Sequence, residues 1–535
     1  MSPVLVTLLA ILLVHQVHPY NILVTNLIPF QSHLMTTSVI ANHLTERGHN
    51  VTLITLKATR PHPKLNVILN KDVFRLPPNF PNIVGNFSAF EFGKFMMDRA
   101  TDTSDELLST PLFRKLINVG TADFQDSDGI PVYNISYDVI IAENHFMQEI
   151  YGAALSEKFA CPLITYQPIL TPPHAAHLLG NYYNPAFMAD YKLRYTGNMT
   201  FWQRLINSLL TAYEILYQNF IYLPRIDTIM RTHFAKVGAA KWPYIKDILR
   251  ARNALTLVDT HHLVTDPKPN NPNVIEIGGI HITPGKPLPQ DIEDFINASP
   301  AGVIYFAMGT FVDGENLTPK RKANLLKLFS GLKQWIIWKI DPSNFQETLP
   351  PNVNVGKWFP QNDILAHPKC ILFITHGGIH SVLESLYHGV PMVGIPVFAD
   401  QAQNLLALQE KGMGEMVEFN FEYEDLKRKL DKVLNENSYR QKIAKFSAIY
   451  RSEVTDIVER TMFYIEYVVR HNGAHHLRTA STRLTWYQYL NLDVLLVVGL
   501  GLGGSAYVLY AVVFWLLMAL RKSGKNGASR SKKTN

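Results

Sequence analysis

Between Lys357 and Asn404 the chain sets out groups suited to holding a phosphate and a sugar. His376-Gly377-Gly378 follows an apolar run, Ile371 to Thr375, and Ser381 and Glu384 come next. Glycines let a backbone approach a ligand or turn sharply. Bare N–H groups at a helix start after Gly378 attract anions, and His376 adds a donor. Glu384 lies one turn into that helix, on the same face as Ser381, where it can accept from ribose hydroxyls. Trp358 offers a flat face for a base, and Asp400-Gln401 suit the hydroxyls of a sugar. These types and spacings fit a nucleotide diphosphate that carries a sugar.

The elements that must position them read as one βαβ unit. Ile371 to Thr375 suits a strand buried on both faces. Val382, Leu383, Leu386 and Tyr387 line the other side of the helix, which Gly389 and Pro391 stop. Met392 to Ile395 is the next buried strand. Polar groups thus gather at the carboxyl ends of strands, where open α/β sheets bind ligands. Gly302 to Met308 is a further strand, and Gly309-Thr310 at its end are candidate phosphate contacts.

The stretch resembles the donor-binding motif of the UDP-glycosyltransferases, close to the membrane-bound UDP-glucuronosyltransferases and their invertebrate relatives. The resemblance covers about 48 residues, far more than a lone glycine motif. It implies that Trp358 stacks on uracil, Gln361 bonds its edge and Glu384 holds the ribose. It further implies that His376, Gly378 and Ser381 hold the diphosphate, and Asp400 and Gln401 the sugar. His380 departs from the pattern, since relatives usually have Asn there. A main-chain phosphate contact survives that change; a side-chain contact is altered.

A second Rossmann-like start lies near the N-terminus. Asn21 to Thr25 reads as a strand, Leu34 to Arg47 as a helix closed by Gly48, and Val51 to Thr55 as the next strand. Ser32 is positioned to cap that helix, with His33 in its first turn. The positive helix end disfavours imidazolium and leaves a neutral base near pH 7. In the resembled family a His at this place is the general base. Such a base needs a carboxylate to orient it. Tyr137 to Glu143 reads as a buried strand with the acid at its carboxyl end. Relatives have Asp where this chain has Glu143, one methylene longer, so the geometry must adjust or His145 or a water must mediate. Asp138, at the start of the strand, is the other candidate.

The chain has 535 residues, enough for two core domains plus extras. The net charge of +6 matches Arg521, Lys522, Lys525, Arg530, Lys532 and Lys533 in an acid-free tail, so the body is neutral and carries no nucleic-acid footprint. Two cysteines, Cys161 and Cys370, make no disulfide framework and are expected as buried free thiols. No His-Glu-x-x-His motif or carboxylate cluster with metal spacing occurs, so the expected chemistry needs no metal and no cofactor beyond a UDP-sugar co-substrate. His261-His262 and His475-His476 read as solvated or packed pairs. Phe87 to Phe234 is rich in aromatic and aliphatic residues, without paired carboxylates or an Arg cluster, which suits an apolar acceptor pocket. Within it Phe201 to Leu223 is too polar for a membrane span and reads as a core or acceptor-site helix, with a membrane-surface helix as the alternative. Sequons at Asn86, Asn134, Asn198, Asn297 and Asn316 are glycosylation candidates; Asn50 opens a buried strand and is discounted.

The resulting organisation is α/β of GT-B type: two Rossmann-like domains facing across a cleft, plus one C-terminal transmembrane helix. Residues 1–19 read as a signal peptide, with an apolar core from Val4 to Val14. Residues 20–285 form the acceptor domain and 286–450 the UDP-sugar domain, joined through the Pro-rich loop Asp266 to Gln290. Helices in 451–493 return to the first domain; Val454 to Arg470 is the candidate. Val494 to Leu520 is a stretch of 27 uncharged residues, long enough to span a bilayer. Its Gly499 to Gly504 matches a dinucleotide motif by letter only, and Gly499-x-x-x-Gly503 suits helix packing. Residues 521–535 are a basic cytosolic tail, whose Lys532 and Lys533 resemble an endoplasmic-reticulum retrieval signal. This describes a single-pass type I protein of the endoplasmic reticulum with its catalytic body in the lumen.

The expected reaction is inverting transfer of a sugar from a UDP-sugar to a hydroxyl of a small lipophilic acceptor. Where vertebrate glucuronosyl enzymes place an Arg against the glucuronate carboxylate, this chain aligns Asp259, a like charge that disfavours a carboxylate. UDP-glucose is therefore expected over UDP-glucuronate. A non-catalytic binder of lipophilic ligands or UDP-sugar is the alternative of another class, and the Asp-to-Glu change is its support. The acceptor, and assembly as a homo- or hetero-oligomer, stay open.

Overall fold

The computed structural model describes residues 18–28, 30–57, 61–70, 85, 87–121, 136–144, 149–309, 318–345, 348–453 and 456–530, with 149, 150, 344 and 523–530 by backbone alone. Residues 1–17 of the expected signal peptide, His145, Thr310, the sequons at Asn86, Asn134 and Asn316, and the terminal lysines lie outside them. The chain forms two compact units, Met1–Arg478 and Thr479–Asn535.

The first unit holds two parallel sheets. One runs in the order β3-β2-β1-β4-β5-β6-β7, from β1 (Asn21–Asn26), β2 (Asn50–Thr55), β3 (Asn66–Leu69), β4 (Val139–Glu143), β5 (Leu163–Gln167), β6 (Asn253–Val258) and β7 (Val274–Glu276). The other runs β10-β9-β8-β11-β12-β13, from β8 (Val303–Ala307), β9 (Trp335–Lys339), β10 (Val353–Gly356), β11 (Cys370–Thr375), β12 (Met392–Gly394) and β13 (Gly414–Met416). The apolar runs behave as buried parallel strands must, with successive side chains entering opposite layers. Leu23 of β1 packs in one cluster, while Ile22 and Val24 pack in another. Tyr305 and Phe306 of β8 divide in the same way.

Both sheets reverse their strand order at one place, between β1 and β4 in the first and between β8 and β11 in the second. Ligand crevices of doubly wound sheets open at such switch points. The carboxyl ends of these four strands and the segments that leave them carry His33, Glu143, Gly309 and His376. Topology alone therefore gathers the polar residues singled out above.

The helix Ile457–Arg470 packs against the first sheet: Met462, Ile465 and Val468 join Ile22, Val24, Leu44 and Leu255 in one buried cluster. Arg47 clamps it through Glu459 at 2.5 Å and Glu466 at 3.1 Å.

Five sequence expectations are corrected. Ser32 is not a cap: the helix spans Gln31–Glu46, its N-cap position is Phe30, and no side chain bonds there. His33 remains in the first turn. The Pro-rich stretch is not all loop, because Val274–Glu276 pairs with β6 as β7. Asn50 heads β2 but is exposed. The helix Phe201–Tyr217 turns its polar residues inward, burying Asn207, Thr211 and Glu214 beside Leu210. Phe201, Trp202, Leu205, Leu209 and Leu216 stay exposed, so it is neither a core helix nor a wall of the cleft. The inward polar side has partners: Glu214 meets His174 at 3.0 Å and Lys192 at 3.1 Å, and Lys192 also meets Asp190 at 2.8 Å. This buried cluster also corrects the expectation that the region lacks paired carboxylates. The described sequons Asn198 and Asn297 are exposed.

The second unit contains the helix Leu492–Arg530. Its segment Leu492–Lys522 is long and apolar enough to cross a membrane, two residues longer at each end than the uncharged stretch in the sequence.

Candidate active site

His33 reaches the cleft from the first helical turn after β1, and Glu143 meets it from the carboxyl end of β4. Glu143 Oε1 lies 2.7 Å from His33 Nδ1, and its other oxygen accepts from Asn26 Nδ2 at 3.1 Å. The extra methylene thus spans the gap with no residue between the two. Glu143 is 1% exposed, and burial pushes its carboxyl above the usual range while the charge and hydrogen bond of His33 oppose that rise. Asp138 is excluded as the partner, since its carboxylate accepts from the backbone N–H of Asn21 at 2.7 Å, at the far end of the strands. With Nδ1 held by Glu143, Nε2 is the ring nitrogen suited to accept a proton.

Across the cleft, the helix Ile379–His388 begins at Gly378 and ends at Gly389, whose φ is 75°. The glycines are dictated by the His376 ring. A Cβ on Gly309, which has φ +77°, would lie 2.7 Å from that ring, and one on Gly378 would lie 2.5 Å from it. Burial, with Lys339 nearby, pulls His376 down to about 4, so its imidazole is neutral. Glu384 accepts from Gln361 Nε2 at 2.5 Å, and the same amide reaches Ser381 Oγ at 3.0 Å. Burial pushes the Glu384 carboxyl up to about 7. Asp400 accepts from Asn404 Nδ2 at 2.7 Å, and burial raises it to about 6. Gln401 Oε1 accepts from the backbone N–H groups of Val397 and Phe398 at 2.8 and 3.1 Å, shaping the turn before Asp400. Ala399 in that turn has φ 56°, a strained value for a residue with a side chain.

One cleft of about 370 Å³ collects these groups: it is lined by His33, Gly309, Trp358, Gln361, His376, Gly378, His380, Ser381, Glu384, Asp400 and Gln401. Trp358 is 68% exposed, with Lys339 Nζ 4.9 Å from its ring centre. Phe30, Met35, Ile169 and Phe398 give the cleft an apolar side. A neighbouring cavity of about 580 Å³ shares Phe398 and Ala399 with it and adds Phe87, Phe92 and Lys192.

Sequence reasoning missed Lys339, which β9 delivers to the cleft and whose Nζ donates to Gly309 O at 2.8 Å. A cation ending a buried strand beside the glycine turn was its signal. It also misjudged Asp259. That carboxylate is fully buried, takes no part in lining the cleft, and accepts from Thr36 Oγ at 2.6 Å and Tyr166 OH at 3.0 Å. It meets His380 Nε2 at 2.7 Å. A paired, buried acid is no open charge facing the donor sugar, so the repulsion argument for glucose loses its footing.

Two switch-point sheets opening on one cleft define the GT-B glycosyltransferase fold. The solved structure of the glycosyltransferase VinC in complex with DTDP matches 84% of this chain and all of its own length, with TM-score 0.55 at 15% identity. The calicheamicin glycosyltransferase CalG4 matches 85% of the chain and 99% of its own, with TM-score 0.53 at 16% identity. At such identities the likeness concerns the fold alone. The family described as "UDP-glucoronosyl and UDP-glucosyl transferase" matches residues 23–528, and the chain belongs to that family of glycosyltransferases. Among curated relatives, UDP-glycosyltransferase UGT4 of Dactylopius coccus is 33% identical over 89% of this chain and 91% of its own. UDP-glucuronosyltransferase 2B7 of Homo sapiens is 30% identical over 92% and 94%.

Proposed function

We propose that the enzyme moves glucose from UDP-glucose to a hydroxyl of a small lipophilic acceptor, with inversion at the anomeric carbon. The observation that carries this reading is the His33–Glu143 pair facing the Gly378 helix start across one cleft. Nε2 of His33 takes the acceptor's proton as its oxygen attacks the sugar. Glu143 holds the ring and offsets the imidazolium that forms. The bond to UDP breaks, and His376, Ser381 and the main-chain N–H groups after Gly378 meet the charge left on the diphosphate. Trp358 and Gln361 take uracil, Glu384 the ribose, Asp400 and Gln401 the sugar. No metal enters this scheme.

Glucose is favoured over glucuronate because the sugar end of the cleft offers Asp400 and no arginine or lysine among the described lining residues; Lys339 sits at the Trp358 end. The acceptor is apolar because Phe30, Ile169 and Phe398 face it. Kinship with membrane-bound relatives and the apolar helix support an enzyme anchored in the endoplasmic-reticulum membrane, its body lumenal and Arg521 and Lys522 cytosolic. The Glu-for-Asp exchange no longer favours a mere binder, since Glu143 reaches His33 directly.

The test is mass spectrometry of products from membranes expressing the protein, supplied with UDP-glucose, UDP-glucuronate and a panel of phenols and alcohols. Hexosides from the intact protein, and none from His33→Ala that still binds UDP, are expected. Glucuronides alone would overturn the donor; equal product from both proteins would overturn the base.

A further inference from the structure

The cleft contains a charge pair that the reaction scheme does not use. His380 is the second residue of the helix that begins at Gly378, and it lines the cleft beside His376 and Ser381. Its Nε2 is 2.7 Å from Asp259 Oδ2 and 3.2 Å from Thr36 Oγ. Asp259 follows β6, and Thr36 lies one turn beyond His33 on the same helix, so the contact joins the two sheets' site elements. Asp259 is fully buried and His380 6% exposed. Nδ1 of His380 is buried and has no partner among the described residues.

A buried carboxylate is stable only when paired. Against burial, His380 pulls Asp259 below the usual carboxylate range, and Asp259 pushes the imidazole above its ordinary value, with Glu384 and Asp400 adding to that. Both directions favour the carboxylate–imidazolium form of the pair over the neutral one. The remaining neighbours do not supply that charge: His281, its ring centre 4.3 Å away, is driven down to about 3 by burial, and Tyr166 stays a neutral phenol. The pair therefore presents its positive end to the cleft, with its negative end sealed in the first sheet.

We propose that His380 is a catalytic residue: an imidazolium, fixed by Asp259, that supplies positive charge to the donor's diphosphate and to UDP as it departs. This rests on the reading of the cleft as a UDP-sugar site. The bond from the anomeric carbon to the diphosphate oxygen breaks with its electron pair on UDP. The acceptor's proton goes to His33. His380 keeps its own proton, and its charge acts from the cleft wall, where Nδ1 is buried and has no other partner among the described residues. An Asn at this place gives a hydrogen bond without charge. Asp259 is a positioning residue that holds His380 protonated.

The experiment is calorimetric titration of the full-length protein in detergent with UDP, from pH 7.5 to 10, where the terminal phosphate, with its pKa of about 6, is ionised throughout. Asp400, at about 6, is ionised there, while Glu384, at about 7, completes its ionisation at the lower end and Lys339 also lines the cleft, so it is the comparison with His380→Asn that assigns the fall to His380. Affinity is expected to fall about tenfold as pH rises through the His380 transition. His380→Asn should bind at the weaker level at every pH. Asp259→Asn should move the fall to lower pH, and thermal melts identify any variant that fails to fold. A pH-independent affinity in the unmodified protein, or a fall that persists in folded His380→Asn, overturns the proposal and leaves the UDP-sugar reading intact. Failure of the unmodified protein to bind UDP at any pH overturns both.

Discussion

Glu143 Oε1 sits 2.7 Å from His33 Nδ1, a contact that uses the full length of the glutamate side chain. Because the pairing is built around that length, Glu143→Asp should open a gap. Turnover is expected to drop for Glu143→Asp and to drop further, about 10²–10⁴-fold, for Glu143→Gln. UDP affinity should hold in both. Steady-state rates beside UDP titrations check this, and full activity in Glu143→Gln would remove the carboxylate from the mechanism.

Donor binding should depend on pH through Glu384. Burial places its carboxyl at about 7, and only the ionised form accepts from two ribose hydroxyls. Affinity for uridine should therefore be present above pH 7 and weaken as pH falls through it. Glu384→Gln should flatten that dependence at the weaker level. Uridine, which lacks phosphate, keeps the reading apart from groups at the diphosphate.

Gly309→Ala tests the packing around His376. The added methyl would lie 2.7 Å from the ring, on a backbone with φ +77°. A cost of about 1–3 kcal/mol is expected, read as a lower melting temperature together with weaker UDP binding. An unchanged melting temperature would mean the ring has room to move.

Trp358 should separate binding from stability. It is 68% exposed, so Trp358→Ala should change folding stability by no more than about 0.5 kcal/mol. Loss of base stacking should weaken UDP binding by about ten- to a hundredfold. Equal affinities would place uracil elsewhere.

Local pattern carried much of this architecture. Short apolar runs named β1, β2, β4, β8, β11 and β12 but not the other strands, and glycine turns with polar neighbours named the ligand edge. Glu143 was readable because a lone acid ends a buried strand. What was not readable depended on contacts between distant segments. Asp259 and His380 are 121 positions apart, and nothing local to Asp259 announces a histidine partner from the other sheet. The helix Phe201–Tyr217 misled because its apolar letters imply a core, while the inward side is set by Lys192 and His174, which lie outside the helix. β7 hid among prolines because three residues beside an existing strand need little pattern of their own.

Cys161 and Cys370 are both free and buried, one in the core of each sheet. Burial pushes both thiols up to about 12, so neither is reactive at neutral pH while its surroundings stay closed. Each half of the enzyme thus carries its own chemical clock. The alkylation rate at Cys161 times the opening of the layer around the first sheet, and the rate at Cys370 that around the second, without any added label.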